Sequence, residues 1–160
     1  MQIEIVLHER FESIIESAAV RERRLGASIA IVPSAFEGAN GFFMSARMKL
    51  LGCFCHDTPP YHVAWDPARP DPLRNASPIR VATHPAPIGL LPRILGNDTK
   101  YEVETFNSTV AAANAALQGE VDAALCNLET IRARRMAYHP VGIAIAMSWN
   151  LFLFGEESER

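Results

Sequence analysis

Val81-Ala-Thr-His-Pro-Ala-Pro-Ile88 opens the stretch that decides the fold, and a helix-like run to Gly96 follows it. Next come an extended Tyr101-Glu-Val-Glu-Thr-Phe106, then Asn107-Ser108-Thr109 at the head of an alanine-rich run to Gly119. Val121-Asp-Ala-Ala-Leu-Cys126 closes the stretch before Asn127. The order is strand, helix, strand, helix, strand, and each strand hands over to polar residues. This pattern predicts an α/β protein with parallel strands joined by crossover helices. Ligands of such sheets sit beyond the carboxyl ends of the strands, where helix amino-termini converge. Thr83-His84 and Asn107-Ser108-Thr109 stand at two of those ends.

Upstream, residues 2–7 alternate polar and apolar and read as a strand. Phe11, Ile14, Ile15, Ala18 and Ala19 recur at helical spacing, which predicts an amphipathic helix over 11–24. Its basic end, Arg21 to Arg24, suits the negative pole of the helix dipole. Ala27–Val32 reads as a buried strand and Pro33–Gly38 as a turn. Phe42, Phe43, Met44 and Met48 fall in a stretch with no defined period. Leu50–Phe54 and Tyr61–Trp65 read as extended, on either side of Pro59-Pro60. Asp66–Pro78, with prolines at 67, 70, 72 and 78, reads as a surface loop. Downstream, Leu128–Arg135 continues as a helix, Val141–Ala146 and Trp149–Phe154 are extended, and Gly155–Arg160 is a polar, fraying tail.

The bulk composition narrows the function classes. In 160 residues, 49% are hydrophobic, 21% are charged and the net charge is −3. No basic stripe tracks a phosphate backbone, so nucleic acid is not an expected partner. The first ten residues carry acids where a signal peptide carries bases, and no segment is long enough to span a membrane. Cys53, Cys55 and Cys126 are odd in number and lack zinc spacing, which points to reduced thiols in a cytoplasm. Cys53-Phe-Cys55-His56-Asp57 holds metal-capable groups without a second ligand pair, so no metal is expected. The chain has neither a glycine-rich phosphate loop nor a Gly-x-Ser-x-Gly elbow. No cofactor is expected.

His84 follows a strand in an alternating α/β unit, where an imidazole can bind an anion or move a proton near neutral pH. A packed or capping histidine is the plainer reading of the same residue. Asn107, Ser108 and Thr109 read first as a helix cap. A helix start rich in free N–H groups and hydroxyls is also a carboxylate site, and the two roles are compatible.

These residues resemble a known family. Phe11-Glu-Ser-Ile-Ile-Glu16, Ala30-Ile-Val-Pro33 and Gly38 are similar to the helix, Val-Pro loop and glycine of prephenate dehydratases. Ala82-Thr-His-Pro85 is similar to their Ser-His-Pro-Gln, and Asn107-Ser-Thr-Val-Ala-Ala112 to their Ser-Thr-x-Ala-Ala. The order and spacing agree over nearly the whole chain. One branch, the prephenate decarboxylases of bacilysin (anticapsin) biosynthesis, matches more closely. Its motifs are resembled by Pro33-Ser-Ala-Phe-Glu-Gly38, His56-Asp-Thr-Pro-Pro-Tyr61, Thr83-His-Pro-Ala-Pro-Ile88 and Met147-Ser-Trp-Asn-Leu-Phe152.

The resemblance implies a two-lobed α/β fold similar to type 2 periplasmic binding proteins and to the catalytic domain of prephenate dehydratase. It implies a prephenate site in the cleft and non-aromatising decarboxylation to a dihydro-hydroxyphenylpyruvate. Ser148-Trp149-Asn150 stands where dehydratases carry Thr-Arg-Phe, which favours decarboxylation over loss of the ring hydroxyl. The family's opening strand and Gly-Pro-Glu-Gly-Thr loop have no counterpart here, so the fold is expected in an N-terminally truncated form. An impaired enzyme, a site completed by another copy, or an upstream start are the open consequences.

The expected lobes are 1–57 with 146–160, and 58–145, with hinges at Pro59-Pro60 and Ala146-Met147. The expected function is a prephenate decarboxylase-like lyase of secondary metabolism, acting on a small carboxylate. A non-catalytic carboxylate-binding protein ranks second and a prephenate dehydratase third. His84, Tyr61 and Ser148 are the catalytic candidates. Asn107, Ser108, Thr109, Thr83, Phe36 and Trp149 are the substrate-binding candidates. The missing strand would leave a sheet edge open, which predicts a homodimer.

Overall fold

The computed structural model describes Ile14 and residues 28–154. The chain divides into two units, Met1–His56 with Ala146–Arg160, and Asp57–Ile145. The expected strand at 2–7, the rest of the expected helix at 11–24 and the tail at 155–160 lie outside the described residues.

Among the described residues, unit 1 holds a three-stranded sheet with β8 (Ser148–Phe154) between β1 (Ser28–Pro33) and β2 (Met48–Cys55). Both pairings are antiparallel. β8 alternates strictly, so Asn150, Phe152 and Phe154 face inward and are buried. They meet Ala30, Val32, Phe42 and Met48, and Ile14 and Phe36 pack against that cluster. Helix α1 (Ala39–Met44) supplies Phe42, whose ring centroid lies 5.5 Å from that of Phe152. The segment around Phe42 showed no period in the sequence because this helix has six residues, under two turns. The opposite face of the sheet carries Ile29 and Ile31, 58% and 49% exposed. A register shift between Leu50 and Gly52 bends β2.

Unit 2 holds, among the described residues, a five-stranded sheet in the order β5-β4-β6-β3-β7. Its strands are β3 (Tyr61–Trp65), β4 (Ile79–Thr83), β5 (Tyr101–Thr105), β6 (Ala123–Asn127) and β7 (Ala137–Tyr138). β4 runs parallel to β5 and to β6, as the sequence pattern requires. β3 runs antiparallel to β6, and β7 antiparallel to β3. The sheet is therefore mixed. The 66–78 connection contains a single helical turn, α2 (Pro72–Asn75), capped by Asp71. A connection built that way is not the crossover helix that parallel strands use.

Both faces of β4 and β6 are covered. One face takes α4 (Thr109–Gln118), whose Ala112, Ala113, Ala115 and Ala116 are all buried. Four methyl-sized contacts let the helix axis lie close to the strands. The other face takes Leu90 of a 3-10 turn (Ile88–Leu90) and Leu91 and Ile94 of α3 (Leu91–Leu95). Burying each such leucine or isoleucine contributes about 1.5–3 kcal/mol. α4 stops at Gly119, whose φ of 79° is the left-handed cap that glycine adopts without a Cβ penalty. α5 (Leu128–Arg134) follows β6 directly. The extended reading of 141–146 reduces to one bridge, Ile143 with Tyr61.

Candidate functional site

One edge of the unit 2 sheet gathers most of the residues singled out from the sequence. β4, β5 and β6 are parallel, so Thr83, Thr105 and Asn127 end on the same side. β3 is antiparallel, so its first residue, Tyr61, lies opposite Asn127 on that side too. The Phe106 N–H donates to the Thr83 carbonyl at 2.9 Å, which ties the turn before Asn107-Ser108 to the strand end that bears His84.

Several side chains on this edge already have local work. His84 Nδ1 accepts from the Ala86 N–H at 3.2 Å. In the neutral ring this leaves the proton on Nε2, so half-buried His84 presents an N–H donor. Ser108 Oγ accepts from the Ala111 N–H at 3.0 Å and caps α4. Its own hydroxyl proton stays available. Thr109 is half-buried in the first turn of α4 and Asn107 is exposed. Thr83 is 0% exposed and donates its hydroxyl to the Leu125 carbonyl at 3.0 Å, which makes it a tie between β4 and β6.

Tyr61 is half-buried. Burial raises its phenol above the ordinary value, and the neighbouring Cys126 adds to the rise. Burial also pushes the Cys126 thiol up to about 12. Both groups are held neutral across the physiological range, and Cys126 is no nucleophile. Asn127, which the sequence reading passed over, caps α5 through Oδ1 to the Thr130 N–H at 2.9 Å. Its signal was present: an Asn between a buried apolar run and a helical one is a helix start.

Unit 1 carries a second polar group of residues. Ser148 Oγ donates to Ser34 Oγ at 2.6 Å, and Asn150 Nδ2 donates to the same oxygen at 3.0 Å. The Ser34 N–H donates to the Ser148 carbonyl at 2.9 Å, which fixes the backbone of the turn after β1. Trp149 Nε1 donates to the His56 carbonyl at 3.0 Å. Phe36 packs edge-on to Phe42 at 6.4 Å between centroids, as part of the apolar cluster of this unit. Ser34 and Asn150 were not singled out from the sequence. Asn150 had a signal, since it occupies the inward phase of a strand whose other inward residues are phenylalanines. Ser34 had none without its partners.

Among the described residues, no three or more His, Cys, Asp or Glu side chains are placed to hold a metal ion. Among the same residues no helix is long and apolar enough to cross a membrane.

Two prephenate decarboxylases from Bacillus subtilis resemble the chain throughout. That of strain 168 is 32% identical over 157 residues, covering 96% of this chain and 72% of its own. A second is 33% identical over 153 residues, covering 94% and 71%. The prephenate decarboxylase of Planktothrix agardhii is 32% identical over 156 residues, covering 94% and 74%. No family model matches. Among solved structures, the quorum-quenching acylase GqqA aligns with a TM-score of 0.59 at 15% identity, over 97% of this chain and 56% of that one. The prephenate dehydratase of Staphylococcus aureus aligns with a TM-score of 0.54 at 12% identity, over 97% and 58%. These last two likenesses show a shared α/β fold.

Proposed function

Since the chain belongs to the prephenate decarboxylase family, we propose that it decarboxylates prephenate without aromatising the ring. The observation that carries this reading is identity of about a third with such enzymes over nearly the whole chain. In the step, the bond from the ring to its carboxylate breaks and carbon dioxide leaves. The electron pair enters the ring diene and a distal ring carbon takes a proton. The ring hydroxyl stays, and the product is a dihydro-hydroxyphenylpyruvate.

Such a step needs the departing carboxylate stripped of water or turned out of plane, and a proton source at the ring. Expulsion of the hydroxyl would need a placed acid with charge support. The Ser148-Trp149-Asn150 segment carries no cation, which supports decarboxylation over dehydration. In this reading the Nε2–H of His84 meets the substrate. The α4 amino-terminus, with Ser108 and Thr109, holds a carboxylate. Tyr61 and Ser148 are the candidates for proton delivery, with Asn107, Phe36 and Trp149 as further substrate contacts.

We assign the protein to the cytoplasm on its two exposed free thiols, Cys53 and Cys55. We assign it to a secondary-metabolic route of the bacilysin type. We also propose a homodimer, which the exposed Ile29, Ile31, Leu50, Leu51 and Phe54 on the unit 1 sheet support. Light scattering that gives a monomer mass at high concentration would refute it. For the activity, purified protein is incubated with prephenate. The expected result is enzyme-dependent carbon dioxide and a non-aromatic keto acid. Phenylpyruvate, detected by its absorbance in alkali, would point to dehydration. Prephenate loss at the spontaneous rate would refute catalysis.

A further inference from the structure

His62 is a buried side chain for which the proposed reaction has no use so far. It is 7% exposed on β3, next to Tyr61. The chain that returns along β3 is held at two points. The His139 N–H donates to the Val63 carbonyl at 2.8 Å. Tyr61 and Ile143 exchange both of their backbone hydrogen bonds, at 2.9 and 3.0 Å. The span from 61 to 63 on β3 therefore faces the longer span from 139 to 143. The surplus, Pro140-Val141-Gly142, arches over His62 as a bulge. A bulge interrupts the ladder, and the His139 carbonyl bonds to His62 Nδ1 instead, at 3.0 Å. A carbonyl only accepts, so the proton of the neutral ring lies on Nδ1. Gly142 closes the arch, because a Cβ there would overlap the imidazole. Its φ is not in the left-handed region, so room for the ring is what calls for glycine. The Tyr138 ring packs edge-on against the same imidazole, 5.0 Å between centroids.

The arch bears on Tyr61. On one side of β3, Tyr61 faces Asn127 of β6. On the other side, among the described residues, its backbone bonds Ile143 in an isolated bridge. A single bridge beyond the two-residue β7 is too little pairing to be stable alone. The imidazole supplies the missing tie between β3 and the returning chain. Resting on the decarboxylase reading with Tyr61 as proton source, we propose that His62 is a positioning residue for Tyr61, acting through the arch from His139 to Ile143. In that step the phenol gives its proton to the ring carbon and regains one from water. A general acid must stand within hydrogen-bond reach of the atom it protonates. Tyr61 and Ile143 pack against the same apolar cluster, so a loosened arch takes a wall away from the phenol. Groups that bind the substrate's carboxylates are untouched by this. The loss therefore falls on kcat and leaves KM nearly unchanged.

The test measures prephenate turnover and amide hydrogen exchange in the wild type, in His62→Phe, His62→Asn, Gly142→Ala and Tyr61→Phe, and in the double variant His62→Phe with Tyr61→Phe. Thermal unfolding checks that each is folded. Loss of a general acid predicts a fall in kcat of about 100-fold or more in Tyr61→Phe. His62→Phe keeps a ring that cannot donate, and kcat should fall about tenfold with KM within about threefold. The Tyr61 and Ile143 amides should exchange faster in it, while the Ala111 amide at the α4 cap keeps its rate. His62→Asn offers an N–H near the place of Nδ1 and restores most of kcat. Gly142→Ala displaces the ring and acts as His62→Phe does. In the Tyr61→Phe background, His62→Phe costs no more than about twofold, since the phenol it positions is gone. An equal loss in both backgrounds makes His62 merely structural and overturns the assignment. So does an unchanged kcat in folded His62→Phe, and both results leave the decarboxylase reading standing. A wild type that consumes prephenate only at the spontaneous rate overturns that reading and this role with it. Should His62→Phe fail to fold, a kcat within about twofold of wild type in Gly142→Ala overturns the assignment.

Discussion

Ser108 and Ser34 carry the same hydroxyl on the turn after a strand and use it in different ways. In unit 2, Ser108 accepts from the Ala111 N–H, three residues on, and Asn127 does the same for Thr130. Both satisfy amides that the start of a helix leaves open. In unit 1, Ser34 bonds side chains 114 and 116 residues away along the chain. The first group of polar residues serves the backbone that carries it. The second is held together only by the pairing of β1 with β8. Loss of a cap in unit 2 should therefore cost stability, and loss of a hydroxyl in unit 1 should cost little, provided β8 itself stays in place.

The largest expected effect breaks that proviso. Phe152 is fully buried on β8, with ring centroids of Phe42 and Phe43 at 5.5 and 5.0 Å. Phe152→Ala should cost about 3–5 kcal/mol, read from urea denaturation. The Ser34–Ser148–Asn150 group should be lost with it, because its two distal members ride on that strand. A loss of less than about 1 kcal/mol would mean that the inward apolar face does not anchor β8.

The two groups also differed in how far the sequence revealed them. The helix caps follow local rules, so Asn107-Ser108-Thr109 marks the start of α4 in the sequence itself. The strand ends of β4 and β5 were legible for the same reason, and with them the neighbourhood of His84. Periodicity did not reveal the direction of β3. Its alternation is the same whichever way it runs, and only the connection through 66–78 makes it antiparallel. The β7 pair, Ala137–Tyr138, is two residues long and too short to show any period. Thr83 looked like a ligand contact because it ends a strand, yet its hydroxyl spans to β6 through a pairing that no local window contains. Ser34 was missed on the same grounds: its meaning lies in residues more than a hundred positions away.

A second expected effect is alkaline. Cys126 lies on β6 beneath the unit 2 edge, with its thiol raised from 9.0 to about 12 by burial. A raised value means that the folded state holds the proton more tightly than the unfolded chain. Stability is then complete below pH 9.0 and declines as pH climbs toward about 12. Midway through that window the loss should be roughly 2 kcal/mol. Tyr61, raised from its ordinary 10.0, adds a decline of the same sign from higher pH. Cys126→Ala should flatten the pH dependence of the unfolding free energy between those limits, and an unchanged slope would refute the assignment. At pH 8 the native protein should react with a thiol reagent at Cys53 and Cys55, which are exposed, and at Cys126 only after denaturation.

The smallest effects sharpen the comparison most. Ser108→Ala removes an acceptor for an amide at the start of a ten-residue helix and should cost about 1 kcal/mol. Asn127→Ala should cost a similar amount at α5. Ser148→Ala removes a donor whose partner is already exposed, and no amide is left unpaired by it. Its effect on unfolding should stay within about 0.5 kcal/mol, while it lowers prephenate turnover more than Asn127→Ala does. Chemical denaturation and a prephenate turnover assay of the same three proteins give both numbers. If Ser148→Ala destabilises as much as Ser108→Ala, the unit 1 hydroxyls are bracing the turn after β1. They would then be as structural as the caps of unit 2, and the difference between the two groups would disappear.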